Sequence, residues 1–281
     1  MTAPFHAVAL RGSTPPHPDK LETVIPPAAG GPPLSQTLEE ARLYRKQRLA
    51  AGFRIFARCG FALGDAGHIT VRDPEFPDCF WVNPSGVHYS RIRVSNLMLV
   101  DGKSEVVVPP RGVPTKLDPA AFAIHSELYK ARPDALSAAH AHSIHGMAWS
   151  ATGRLLEPLT QDAAAFYEDH AVFADFTGVV LETSEGARIA EALGPSKHSV
   201  ILQNHGLLTL GATVESTIWR FVAMDACCHV QLLADAAGRA KAMPHEVAKL
   251  TQPQVGSEHA CLDAFGPYWS VVADEEPDLF D

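Results

Sequence analysis

Apolar and polar positions alternate along this chain in two periods, and the switches between them outline its elements. Leu38, Ala41, Leu43, Leu49, Phe53 and Phe56 form a broad apolar stripe ahead of Gly60, and Thr37 with Glu40 has capping-box spacing, so a first helix is expected from residue 37. The short β-prone runs "HITVR", "CFWVN" and "LMLVDGKSEVV" follow, broken by Pro, Gly and Asp, and the Asp101-Gly102 step suits a tight hairpin. They predict an antiparallel meander. Asp118 and Pro119 have the composition of an N-cap and a first helical residue, and that second helix should end at Arg132, just before Pro133.

Beyond it, "ALSAAHAH" is apolar and short enough for a buried strand, with a helix through Met147 and Trp149 after it. "GVVLE" reads as a further strand, and "TSEGARIAEALG" as a helix that Ser184 caps and Gly194 ends. "SVILQNHGLLTLG" supplies one or two core strands, and residues 213–238 a long amphipathic helix. This alternation predicts a layered α/β domain over residues 37–238 built on a mixed sheet. Residues 1–36, with "STPPHPDK" and "PPAAGGPP", read as a flexible Pro/Gly-rich arm. Residues 239–281 look irregular and end acidic. Because Phe265, Tyr268 and Trp269 are costly to leave in water, this tail is expected to pack on the domain or on a neighbouring subunit.

Composition then removes whole classes of function. With 281 residues and 46% hydrophobic content the chain can bury one large core. A formal net charge of −9 argues against a nucleic-acid footprint, which needs a basic surface to displace counterions. Five cysteines without CxxC spacing suggest neither a disulfide framework nor a cysteine zinc site. The first residues lack an apolar signal core, and no stretch reaches the roughly 18 apolar residues of a membrane helix. A soluble cytoplasmic protein acting on a small molecule is the expectation, with neither nucleic acid nor membrane as partner.

The candidate chemistry lies in "SAAHAHSIHG". On a strand, His140 and His142 point the same way with roughly 7 Å between their α-carbons. They can converge on one ion, or they can be ordinary buried histidines. "QNHGLL" offers a third imidazole, His205, directly before a glycine where a strand can turn. Three neutral imidazoles would leave positions open for water or substrate, as catalytic rather than structural zinc does. His145 falls at the start of the next helix, where it is a poorer ligand candidate. Nothing local fixes where His125 points, and His68 and His88 lie in or near turns. "YEDH", with Tyr167 and two carboxylates beside His170, could be acid/base equipment or a polar loop.

The set "GHITVR", "NPSG", "RPDALSAAHAHS" and "QNHGLLTLG", in this order across residues 37–238, resembles the class II aldolase/adducin superfamily. The resemblance implies a three-layer αβα fold around a central mixed, largely antiparallel sheet, and a homotetramer with active sites between subunits. It also implies one divalent metal ion per subunit, Zn2+ or Fe2+, held at His140, His142 and His205.

Two departures bear on the branch. Sugar-phosphate aldolases of the superfamily carry an acidic residue on the helix before the HxH strand, and alignment on RPD and HxH puts Ala121 there; the paired hydroxyl residues that hold phosphate are Pro119 and Ala120. Ser85 and Gly86 keep part of the phosphate loop, and the asparagine of the earlier glycine loop is His68. Ser85, Gly86, His68 and position 121 are therefore the expected substrate-facing set. A replacement base would have to be Glu127, His125 or a group such as Tyr167. The superfamily also contains non-haem iron oxygenases of aminocoumarin pathways, which this chain resembles in length and in lacking the sugar-phosphate equipment. Phe122, Trp149, Phe166 and Tyr167 could line an apolar pocket. The expected activity is metal-dependent cleavage of a carbon–carbon bond beside a carbonyl in a non-phosphorylated 2-oxo or aromatic acid, by decarboxylation, aldol-type lysis or an oxygen-dependent variant. The alternatives are a sugar-phosphate aldolase or epimerase with a displaced base, and a non-catalytic adducin-like scaffold.

Overall fold

A computed structural model describes residues 37–180, 182–238 and 240–281; the arm expected over residues 1–36 lies outside them. Seven helices are described: α1 (Leu38–Arg58), α2 (Pro119–Ala131), α3 (Ile144–Ser150), α4 (Thr183–Leu193), α5 (Val214–Ala237), α6 (His245–Gly256) and α7 (Glu258–Glu275). The strands are β1 (His68–Arg72), β2 (Phe80–Val82), β3 (Met98–Val100), β4 (Val106–Val108), β5 (Ser137–Ala141), β6 (His170–Phe173), β7 (Ser199–Leu202) and β8 (Gly206–Gly211). They form one sheet in the order β4-β3-β2-β1-β5-β8-β7-β6, antiparallel throughout except for the parallel β6–β7 pair.

The sheet has two apolar faces because alternate strand residues point to opposite sides. Ile69, Val71, Trp81, Leu99, Ala139, Ala141, Ile201 and Leu207 bury against Phe53 and Phe56 of α1, Trp149 of α3 and Phe221 of α5. Ala138, Val200, Leu202, Leu208 and Leu210 bury against Ile124 and Leu128 of α2 and Ile189 and Leu193 of α4. Phe80, Val82, Met98 and Val100 extend that second face under Ala121 and Tyr129. This is a three-layer αβα domain.

The helix starts follow local chemistry. Thr37 and Glu40 close the capping box of α1, the Asp118 side chain accepts from Ala120 N–H ahead of Pro119, and Thr213 with Ser216 caps α5, which Gly238 ends in a left-handed conformation. Such caps contribute about 1 kcal/mol each. A buried ion pair ties the first layer to the sheet: Asp73, just after β1, accepts from Arg42 Nε at 2.7 Å and from the indole of Trp81 at 2.8 Å.

Three expectations are corrected. "GVVLE" forms no strand at its described positions, where Val179 is exposed; the strand is β6, which begins at His170, the last residue of "YEDH". Ser184 lies within α4 rather than capping it. Residues 245–256 and 258–275 are helical, not irregular: α7 packs on α1 and α5 with Phe265, Trp269 and Val272 buried, whereas Tyr268 remains 37% exposed. The five cysteines are free thiols. Among the described residues no helix is long and apolar enough to cross a membrane.

Candidate metal centre

Strand register brings the histidines to one edge of the sheet. In the β1–β5 ladder His68 pairs with His140, and β5 runs on to His142 just beyond its last residue. The β7–β8 hairpin closes where Leu202 pairs with Gly206, so residues 203–205 make the turn, with Asn204 at φ 60, a conformation asparagine tolerates. His205 therefore rises from that turn beside the end of β5. Its ring centre lies 4.6 Å from that of His140 and 5.1 Å from that of His142, and those two are 5.2 Å apart. One ring nitrogen from each of the three falls within 4.8 Å of the others.

The protonation states fit a cation. His140 Nδ1–H donates to the Leu207 carbonyl at 2.8 Å, which leaves the Nε2 lone pair for a ligand, the usual way a neighbouring carbonyl fixes a metal-binding tautomer. Burial lowers the pKa of all three imidazoles: His140 falls well below the ordinary histidine value, His205 falls to about 4 with help from His142, and Asp118 opposes the shift at His142. Three neutral nitrogen donors within reach of one point suit Zn2+ or Fe2+ and leave coordination positions open.

A buried polar chain runs away from this cluster. The His68 ring lies 5.1 Å from that of His140 and shares a hydrogen bond between its Nδ1 and His125 Nε2 at 2.8 Å. His125 Nδ1 bonds Thr70 Oγ1, which meets the Tyr129 hydroxyl at 2.8 Å. Both His68 and His125 are buried, and burial pushes His125 down to about 3. Because α2 crosses the sheet with His125 facing β1, the helix locks the His68 ring next to the candidate ligand His140.

The other sequence candidates separate clearly. Glu127 lies two residues from His125, on the other side of α2, and pairs with Lys130 at 2.6 Å. The Tyr167 hydroxyl meets His245 Nδ1 at 2.5 Å, at the start of α6. His145 Nδ1 bonds Asp225 at 2.9 Å and its ring stacks on His229, while His88 bonds Ser90 on the surface. None of these joins the histidine cluster. Ala121 is fully buried among Phe80, Val82, Met98 and Val100, one turn before His125. Trp149 and Phe166 belong to the core on the opposite face of the sheet, and Phe122 packs against Phe80.

Ser85 and Gly86 do lie at the same sheet edge, in the loop after β2, but their donors are engaged. Ser85 Oγ–H donates to Asp65 Oδ2 at 2.5 Å and Gly86 N–H to Asp65 Oδ1 at 2.6 Å. The sequence reading missed Asp65, although "GDAGH" places an acid between two glycines just before His68. It also missed Phe176, which is 41% exposed with its ring centre 6.0 Å from that of His205, and for which no local signal existed.

The comparisons with known proteins agree with this architecture. The family model of the class II aldolase and adducin N-terminal domain matches residues 47–232. Among curated proteins, decarboxylase NovR of Streptomyces niveus is 46% identical over 249 residues, 88% of this chain and 91% of that protein. A protein of Streptomyces roseochromogenus subsp. oscitans named 4-hydroxy-3-prenylphenylpyruvate oxygenase/4-hydroxy-3-prenylbenzoate synthase is 46% identical over 88% of each chain. Among solved structures, one titled L-fuculose 1-phosphate aldolase from Glaciozyma antarctica superposes with a TM-score of 0.83 at 40% identity, covering 89% of this chain and 96% of that one. Fold, motif order and relatives coincide: the chain belongs to the class II aldolase and adducin family.

Proposed function

We propose that this chain is a mononuclear metal-dependent enzyme that cleaves a carbon–carbon bond beside a carbonyl in a small non-phosphorylated 2-oxo or aromatic acid, by decarboxylation or its oxygen-dependent form. The observation that carries the reading is the convergence of His140, His142 and His205, with ligand atoms within 4.8 Å of one another. A divalent ion held by them, Zn2+ or Fe2+, would polarise a carbonyl and stabilise the enolate left when a bond to the neighbouring carbon breaks; loss of CO2 from a 2-oxo acid leaves the electron pair on the carbonyl carbon and takes O2 as its acceptor. The chain itself supplies neutral ligands, a His140 ring fixed by Leu207, and His68 as a buried polar group on the flank of the cluster.

The lack of a carboxylate at Ala121 supports decarboxylation over aldol-type lysis. Loss of CO2 takes no proton from the substrate, whereas aldol cleavage needs one removed from a hydroxyl. The names of the two Streptomyces relatives, a decarboxylase and a prenylphenylpyruvate oxygenase, support the same choice. A second reading, cleavage of a sugar phosphate, is favoured by the structure titled L-fuculose 1-phosphate aldolase; Ala121, Pro119 and Ala120 weigh against it. Assembly as a homotetramer with sites between subunits, in the cytoplasm, belongs to the leading reading.

The test is elemental analysis of protein purified without added metal or chelator, followed by assays with 4-hydroxyphenylpyruvate, with and without oxygen, and with L-fuculose 1-phosphate. About one ion per chain and CO2 release from the 2-oxo acid are expected. Turnover of the sugar phosphate alone, or a protein that binds no divalent ion, would overturn the reading. Sedimentation velocity reads the assembly.

A further inference from the structure

The donors of Ser85 and Gly86 make a small oxyanion cradle. The two N–H and O–H groups point at the two oxygens of one carboxylate, at 2.6 and 2.5 Å, the arrangement they would equally offer to two oxygens of a phosphate. The occupant is the chain's own Asp65. We infer that Asp65 is a specificity-determining residue that fills this cradle and denies it to phosphate esters, so that the part of the substrate lying there is uncharged.

Topology puts the cradle beside the histidines. Asp65 comes three residues before His68, and the intervening Gly67, at φ 102, runs so close to β5 that a β-carbon there would sit 2.8 Å from the His140 carbonyl oxygen. The Tyr89 hydroxyl donates to the Ala66 carbonyl at 3.3 Å and holds the same loop down. On the other side, Ser85 N–H donates to the Lys116 carbonyl at 2.8 Å, two residues before the Asp118 cap of the helix that carries His125. Asp118 is a second carboxylate whose pKa is raised chiefly by burial, with the nearby charge of Asp65 adding to the shift. An incoming phosphate would therefore meet occupied donors and two negative groups. Tethered within the same chain, the Asp65 carboxylate competes for Ser85 and Gly86 at an effective concentration in the millimolar range or above.

The inference rests on the functional reading only in placing the substrate at the histidines. It is tested with inorganic phosphate as the probe, by isothermal titration of wild type, Asp65→Ala, Asp65→Asn and Asp65→Ala/Ser85→Ala. Asp65→Ala should bind phosphate at least tenfold more tightly than wild type, Asp65→Asn by a smaller factor, and the added Ser85→Ala should cancel the gain. Residue 65 is exposed, and if one variant fails to fold the other carries the test. A carboxylate that merely staples a loop would change the melting temperature without creating an anion site; unchanged phosphate affinity, or a gain that Ser85→Ala leaves intact, would overturn the inference. Metal content and CO2 release measured on the same preparations separate the two claims. A phosphate gain in a protein that turns over no 2-oxo acid sinks the functional reading alone, and turnover without the gain sinks the role of Asp65 alone.

Discussion

His125 offers a direct measure of how much free energy is tied up in keeping the cluster neutral. Its ring is fully buried, and burial lowers its pKa from about 6.5 to about 3. Between those values the unfolded chain takes up a proton that the folded chain refuses, so stability is complete above pH 6.5 and is lost as the pH falls towards 3. From pH 7.5 to pH 5.5 the unfolded imidazole gains between about 1 and 2 kcal/mol from protonation while the folded one gains almost nothing. For a chain of this size that corresponds to about 3–6 °C in melting temperature.

The perturbation is His125→Gln, whose amide can still bond His68 Nδ1 and Thr70 Oγ1 but does not titrate. Its imperfect bonds should cost about 1–3 kcal/mol at every pH. Metal-free wild type and variant are melted at pH 7.5 and 5.5 at one protein concentration. His68, His140, His142 and His205 are present in both proteins, so the difference between the two pH drops reads His125 together with its effect on the bonded His68. Wild type should lose about 3–6 °C more than the variant. Parallel drops would show that His125 is not the buried neutral group described, and the polar chain from His68 to Tyr129 would have to be redrawn.

Three further outcomes are expected. His140→Ala and His205→Ala should each lower bound metal at least tenfold with the melting curve of the metal-free protein little changed, whereas His145→Ala, whose ring is committed to Asp225, should keep wild-type metal content on elemental analysis. Gly67→Ala should destabilise the chain by at least about 2 kcal/mol in urea titration, since its backbone is at φ 102 and its new methyl would lie 2.8 Å from the His140 carbonyl oxygen; full retention of stability would contradict that close approach. Ala121→Glu places a carboxylate among Phe80, Val82, Met98 and Val100 and should lower the melting temperature of the metal-free protein by several degrees, with Zn2+ restoring more than it adds to wild type if position 121 reaches the ion.

Much of the fold was legible because its signals are local. Capping boxes at Thr37, the Asp118-Pro119 start and the Asp101-Gly102 hairpin depend on three or four neighbouring residues, and all stand in the structure. The failures are non-local. β6 is four residues long and is selected by parallel pairing with β7, a partner some thirty positions away, so its own pattern could not announce it. Residues 239–281 read as irregular, yet α7 persists through Pro267 because burying Phe265, Trp269 and Val272 outweighs the lost backbone bond, and α6 runs through Pro253 with Ala248 and Gly256 buried. The same division holds at the site. His140 and His142 share a face by strand period and His205 sits on a turn marked by Gly206, all readable in place. The juxtaposition of His68 and His125 needs the β1–β5 register and the rotation of α2 about its axis, and the meeting of Asp65 with Ser85 needs two loops that only the folded sheet edge brings together.

These late-appearing contacts bear on chemistry because they close the same options. On α2, the position aligned with the acid of the sugar-phosphate aldolases is a buried alanine, and the next turn presents His125 with both ring nitrogens already bonded. A group with no free lone pair or proton to exchange, and with burial opposing its charged form, is a poor general base. Across the sheet edge, the donors suited to an oxyanion are taken by Asp65. What remains available at the edge is the open side of three neutral imidazoles, the flank of His68 and the ring of Phe176. On the proposed reading, in which the three imidazoles hold an ion, this arrangement favours reactions whose bond breaks without proton removal, and substrates that reach the ion through their own carbonyl or carboxylate and set an uncharged or aromatic part beside Phe176 or the Asp65 loop.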